Sequence, residues 1–180
     1  MPVYDEFYKY HKEIYHVLTR HEQGATHAAQ GYARISGKVG VAIATSGPGA
    51  TNLITGIADA QIDSTPMVCI TGQVPSHLLG SDAFQETDIV GISTPVTKWN
   101  HQITRAEEIP EVIAKAFFIA RSGRPGPVLI DITKDAQFET FDFTYQKCNI
   151  VRSYKPVPKL QQNQLQAAAE LINSAKKPLI

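Results

Sequence analysis

Glu22 has the placement of a working acid, because it stands where a short apolar run stops and a small-residue stretch begins. The run Ile14-Tyr15-His16-Val17-Leu18-Thr19 has the composition of a buried strand, and Ala25, Ala28, Ala29, Tyr32 and Ala33 recur at helical spacing. Glu22 is thereby placed at a strand-to-helix junction, the edge of an open α/β sheet where ligands bind. Position alone fits equally well an acid that complements a helix dipole. The turn Thr45-Ser46-Gly47-Pro48-Gly49 has the glycine content of an anion cradle. It lacks the spacing of a dinucleotide or P-loop motif, and close helix–strand packing explains its glycines as well. Asp82, Glu86 and Asp88 offer carboxylates for acid–base hydrolysis, but a polar loop carries such residues without any catalytic role. His11, His16, His21, His27, His77 and His101 show no metal-ligand spacing, and no Gly-x-Ser-x-Gly nucleophile elbow occurs.

The elements that must position these groups alternate. Residues 3–14 read as a helix leading into the first strand. The run Val39-Gly40-Val41-Ala42-Ile43-Ala44 is continuous, small and apolar, as a strand buried on both faces of a parallel sheet must be. A helix over about 50–59 follows, then a strand over 66–71 and a loop from 72 to 88. That loop is long for a compact domain, and such loops are commonly functional. A strand within 96–103 leads to Thr104-Arg105-Ala106-Glu107, which has capping-box form. Pro110 would break a helix begun at Thr104, so the main helix starts with Pro110 near its first turn. Gly123-Arg124-Pro125-Gly126 ends it, and Pro127-Val128-Leu129-Ile130-Asp131-Ile132 returns as strand. The alternation predicts an α/β fold with a mostly parallel sheet flanked by helices. Domain bounds are expected at 1–135, with a Pro-punctuated linker over 136–158 and the start of a second α/β domain at 159–180. There, residues 161–176 form a helix and Pro178-Leu179-Ile180 opens a strand.

Seventeen basic and 17 acidic residues balance to zero net charge, which speaks against nucleic acid and acidic membrane surfaces as partners. Cys69 and Cys148 form no CxxC and read as reduced thiols rather than metal ligands. The N-terminus has no signal-peptide core, and no run reaches the ~18 apolar residues of a membrane span. A cytoplasmic location is expected.

Taken together, the motifs carry a resemblance. Arg20-His21-Glu22-Gln23-Gly24 comes first, with His27-Ala28-Ala29-Gln30-Gly31-Tyr32-Ala33-Arg34. Thr45-Ser46-Gly47-Pro48-Gly49-Ala50-Thr51-Asn52 and Gly72-Gln73-Val74-Pro75 follow in order. Asp82-Ala83-Phe84-Gln85-Glu86 and Ser122-Gly123-Arg124-Pro125-Gly126-Pro127-Val128 complete the set. The whole resembles the large, catalytic subunit of the acetolactate synthases (acetohydroxyacid synthases), and Phe84-Gln85 favours them over pyruvate oxidase or glyoxylate carboligase.

The resemblance implies thiamine diphosphate, Mg²⁺ and FAD as cofactors. The substrates would be two molecules of pyruvate, or pyruvate with 2-oxobutyrate, joined with loss of CO₂ at the start of branched-chain amino-acid synthesis. It implies that Glu22 hydrogen-bonds the aminopyrimidine ring and so promotes removal of the thiazolium proton. Thr45, Pro48 and Asn52 would line that ring. Gln85 would stand beside the reacting centre, and Pro75, Ala83, Phe84 and Lys134 along the substrate channel, while Arg124 would touch FAD. The family assembles as homodimers or homotetramers with sites at the subunit interface, alongside a regulatory small subunit. The resemblance also implies that these residues are a fragment. They would hold most of the pyrimidine-binding domain without its first strand and helix, and the Mg²⁺ ligands would lie on a C-terminal domain outside them. Alone they are expected to be inactive, as a module that folds, dimerises or associates.

Overall fold

Continuous burial on two faces makes the apolar runs into strands. The computed structural model describes residues 2–179. In it β1 (Gly40–Ala44), β2 (Met67–Gln73), β3 (Trp99–Ile103) and β4 (Pro127–Thr133) form one parallel sheet in the order β1-β2-β4-β3. β4 is buried along its whole length and β2 almost so, as expected of central strands that carry helices on both faces. Around them run α1 (Pro2–Lys9), α2 (Glu22–Ser36), α3 (Pro48–Asn52), α4 (Ile54–Ile62), α5 (Ile89–Ser93), α6 (Ile109–Arg121) and α7 (Gln162–Ser174).

The sheet divides the core in two. On one side Ala29, Ala42, Leu53, Ile57, Met67 and Leu129 pack beneath α2 and α4. On the other, Val68, Val128 and Ile130 pack beneath Ala116 and Ile119 of α6. Cys69 is fully buried on the first side, where burial pushes its thiol up to about 12.

The strand predicted for residues 14–19 does not form. The segment is irregular, with Tyr15 90% and Leu18 85% exposed. A strand needs a ladder partner for its N–H and C=O groups. β1 pairs with β2, and no described strand lies on its other side. Glu22 therefore follows an irregular segment rather than a strand. The first helix also ends early, at Lys9, and turns occupy the residues after it.

Other departures are local. The helix expected over 50–59 is two pieces, α3 and α4, joined at Leu53, which caps both. Within the stretch after the long loop, α5 forms because Asp88 Oδ1 accepts from Gly91 N at 2.9 Å. The capping box at Thr104 is not made. Residues Ala106–Glu108 form a 3-10 turn whose first N–H is taken by Glu139 Oε2 at 2.7 Å. α6 then starts at Ile109 with Pro110 in its first turn, as the sequence predicts.

The expected linker has no helix, but it is fastened at both ends: Ala136 is buried in the core and Glu139 accepts from Ala106 N near its start. Val151 and Tyr154 pack against the α6 side of the core, and Lys98 Nζ donates to the Tyr154 hydroxyl at 3.0 Å. α7 forms where a helix is expected, with Leu171 and Ile172 exposed. Pro178 and Leu179 are irregular. Ile180, the rest of that expected strand, lies outside the described residues, as does Met1. Among the described residues no helix is long and apolar enough to cross a membrane.

Candidate active site

Two close contacts set where α2 lies, and so where its first residue points. A Cβ on Gly40 of β1 would stand 2.2 Å from the Ala29 carbonyl oxygen, so only glycine lets the helix come this near the strand. A Cβ on Gly56 of α4 would stand 2.0 Å from Thr26 Oγ1. At that crossing Gln30 Nε2 donates to the Gly56 carbonyl at 2.9 Å, which ties α2 to α4. His21 caps α2, its Nδ1 accepting from Gln23 N at 3.1 Å, and leaves Glu22 as the first helical residue.

Glu22 then meets the glycine turn after β1. Asn52 Nδ2, at the end of α3, donates to Glu22 Oε2 at 3.0 Å. That bond, with the helix-start backbone N–H, holds the carboxyl below its ordinary range and so keeps it an acceptor. The other oxygen, Oε1, faces the glycine turn, where Gly49 is packed against Thr45. A Cβ on Gly49 would lie 3.5 Å from Glu22 Oε1 and 2.8 Å from Thr45 Cγ2. Pro48 occupies the first turn of α3 beside it.

The long loop closes on the same turn. Gly47 has φ of 60°, and a Cβ there would come within 2.9 Å of the Gln85 Cα. Gln85 itself has φ of 60°, a left-handed backbone that a residue with a side chain adopts at a cost. The loop holds it there through Glu86, whose carboxylate accepts from Gly80 N and, at 2.9 Å, from Ala83 N. Those bonds lower the Glu86 pKa and make it a brace for the loop, not a catalytic acid. Phe84, at the tip, is 88% exposed.

A second brace ties the loop's start to the end of β4. Asp135 accepts from both the N–H and the hydroxyl of Ser76. Pro75 and Lys134 adjoin this pair, and Lys134 N donates to the Val74 carbonyl at 3.5 Å. Burial alone would raise the Asp135 pKa, but its donors, led by the Ser76 hydroxyl, outweigh burial and bring it to about 2. A depressed pKa contributes stability that is fully present above the ordinary 3.8 and is lost as pH falls toward about 2. Asp135→Asn is therefore expected to lower the thermal midpoint at neutral pH and to flatten its decline between pH 4 and 2; equal declines in both proteins would refute this.

The structure thus brings Glu22, Thr45, Pro48, Asn52 and Gln85 together, and places Pro75, Ala83, Phe84 and Lys134 on the loop and strand end at the same sheet edge. Arg124 is not among them. It precedes β4, at the opposite edge, with Nε donating to Ser64 Oγ at 2.7 Å and Nη2 to the Ile62 carbonyl at 3.1 Å. Tyr4 is a neighbour of Glu22 that the sequence did not point to. Its hydroxyl pKa is raised by burial and by the charge of Glu22, and its ring lies 5.5 Å from that of His16. Tyr4 sits in a run with no motif, so no signal in the sequence pointed to it.

Among the described residues no group of three or more His, Cys, Asp or Glu side chains is placed to hold a metal. What the edge offers is a carboxylate held below its ordinary range against a glycine turn, with Thr45 packed on Gly49 and Pro48 in the first turn of α3. Such a site suits a flat, nitrogen-bearing ring that hydrogen-bonds at its edge, and the aminopyrimidine of thiamine diphosphate fits that description.

The family model for the thiamine pyrophosphate enzyme N-terminal TPP-binding domain matches residues 1–92, and the chain belongs to that family. Its relatives carry a more particular name. It is 56% identical over its full length to the acetolactate synthase large subunit of Corynebacterium glutamicum, covering 29% of that protein. It is 50% identical over its full length to the acetolactate synthase isozyme 1 large subunit of Escherichia coli, covering 32%, and 51% identical to an acetolactate synthase of Arthrospira platensis, also covering 32%. The chain spans about a third of the length of these relatives.

Proposed function

We propose that this chain is the pyrimidine-binding part of a thiamine-diphosphate-dependent acetolactate synthase large subunit. The reaction would join two pyruvates, or pyruvate and 2-oxobutyrate, with release of CO₂. One observation carries the reading: the carboxylate of Glu22, held by Asn52 at 3.0 Å, stands against the Gly47–Gly49 turn on which Gln85 closes.

Thiamine diphosphate supplies the nucleophilic carbon and the electron sink for decarboxylation and carbon–carbon bond formation. This chain's residues bind and orient. Glu22 holds a proton shared with a ring nitrogen, and Asn52 keeps the carboxylate ionised and aimed. Thr45 and Pro48 wall the ring. The Gln85 amide hydrogen-bonds the oxygen of the 2-oxo substrate, and Phe84 shields the channel from water. Mg²⁺ and FAD belong to the same proposal. The guanidinium of Arg124 has donors left for FAD after its bonds to Ser64 and Ile62. We place the protein in the cytoplasm, where the unpaired thiols of Cys69 and Cys148 stay reduced. A homodimer or homotetramer, with a regulatory small subunit, completes it.

Replacing the matching segment of the Corynebacterium glutamicum large subunit with this chain tests the reading. The chimera should form 2-acetolactate from pyruvate. Pyruvate consumption that yields an oxidised two-carbon product instead would assign the chain to a pyruvate oxidase, and no pyruvate turnover by a folded chimera would overturn the proposal.

A further inference from the structure

β4 carries a single charged residue, Asp131, which is fully buried and among the described residues meets no cation. Its neighbours explain how it is tolerated. The sheet register sets Asp131 opposite Thr71 on β2 and Gln102 on β3. Thr71 Oγ1 donates to Asp131 Oδ1 at 2.6 Å, while Gln102 Nε2 at 2.9 Å and Gln73 Nε2 at 3.0 Å both donate to Oδ2. Burial raises the pKa of this carboxyl, and these donors oppose the rise.

Gln73 carries the consequence outward. The same Nε2 donates to the Thr87 carbonyl at 2.8 Å, and Gln73 Oε1 accepts from Val74 N at 2.9 Å. Every hydrogen-bonding group of this amide is thus engaged. Flipping it would set its oxygen against the carboxylate and against the Thr87 carbonyl, so Asp131 joins Thr87 and Val74 in fixing which way Gln73 faces. Thr87 lies two residues after Gln85, whose backbone is held left-handed against Gly47.

We infer that Asp131 is a positioning residue for Gln85, acting through the amide of Gln73 and the Thr87 carbonyl to hold the site loop in place. The role given to Gln85 rests on the function proposed above; the hold on the loop does not. Asp131→Asn can keep its amide oxygen at the Oδ2 position and donate to the Thr71 hydroxyl, whereas Asp131→Leu takes away the acceptor of Gln73 Nε2 altogether.

Amide hydrogen exchange in the full chain separates this from a merely structural carboxylate. Glu86 N, bonded to the Ala83 carbonyl at 2.8 Å, and Ile89 N, bonded to the Thr87 carbonyl at 2.7 Å, report on the loop. Gln73→Met and Gln102→Met each remove one donor from Asp131, but only Gln73 reaches the loop. Relative to the core amides of β2, exchange at Glu86 and Ile89 should rise about tenfold in Gln73→Met and Asp131→Leu, and should stay within about twofold in Gln102→Met. Equal acceleration by the two glutamine variants, or none in Gln73→Met, would overturn the inference. Because exchange needs no turnover, failure of the chimera to make acetolactate would leave this result intact.

Discussion

Replacing Glu22 by glutamine is expected to reduce acetolactate formation by the chimera about 10²- to 10⁴-fold, the range lost with a positioned proton-transfer group. That is about 3 to 5 kcal/mol of barrier. The variant should fold as the parent does, because the glutamine oxygen can still accept from Asn52 as Glu22 Oε2 does at 3.0 Å. What changes is Oε1, the oxygen beside Gly49, where an amide N–H₂ replaces an oxygen able to share a proton. An unaltered unfolding midpoint with collapsed turnover is the expected pairing. Activity within a few-fold of the parent would remove Glu22 from the chemistry.

The second large effect is on stability, and it comes from Gly40→Ala. The added carbon would lie 2.2 Å from the Ala29 carbonyl oxygen and 2.7 Å from its carbon. Both are backbone atoms inside α2, so no side chain can turn aside and the helix must shift bodily. Overpacking of this kind costs about 3 kcal/mol. Restricting the unfolded chain by removing a glycine returns at most about 1 kcal/mol, so the net loss should be about 2 kcal/mol, near 1 M in a urea midpoint. Gly31→Ala, on the exposed face of α2 with nothing within 4 Å, is the matched contrast. It should stabilise by up to about 1 kcal/mol through helix propensity. The same chemical change on either side of one helix is thus expected to act with opposite sign.

The elements that could be read from sequence were those whose burial is continuous. β1 and β2 show themselves as small apolar runs, β4 as one broken only by Asp131, and α6 through its periodic face closed by Pro110 and Gly123. Residues 14–19 have the same composition as those strands and yet form none, because a strand depends on a neighbour that composition cannot report. α5 is too short to have a period, and its cap at Asp88 lies in a loop crowded with acids. In the site, Glu22 and Asn52 lie 30 residues apart and meet only through the α2–α4 crossing. Their association follows from the family motifs, not from any local rule. The glycines at 47 and 49 carried two readings, phosphate cradle or close packing, and the contacts with Gln85, Thr45 and Glu22 make them spacers. Asp131 did leave a signal, a single charge inside Val128-Leu129-Ile130-Asp131-Ile132. Its three donors come from two other strands, so its meaning needed the register.

Everything proposed for this site depends on Glu22 being the carboxylate that engages the aminopyrimidine ring. A crystal structure of the chimera with thiamine diphosphate bound measures this directly. The account predicts a Glu22 carboxylate oxygen within hydrogen-bond reach of a pyrimidine ring nitrogen, at about 2.6 to 3.2 Å, with Asn52 still donating to the other oxygen. A ring seated elsewhere, with Glu22 facing solvent or a protein partner alone, would contradict it.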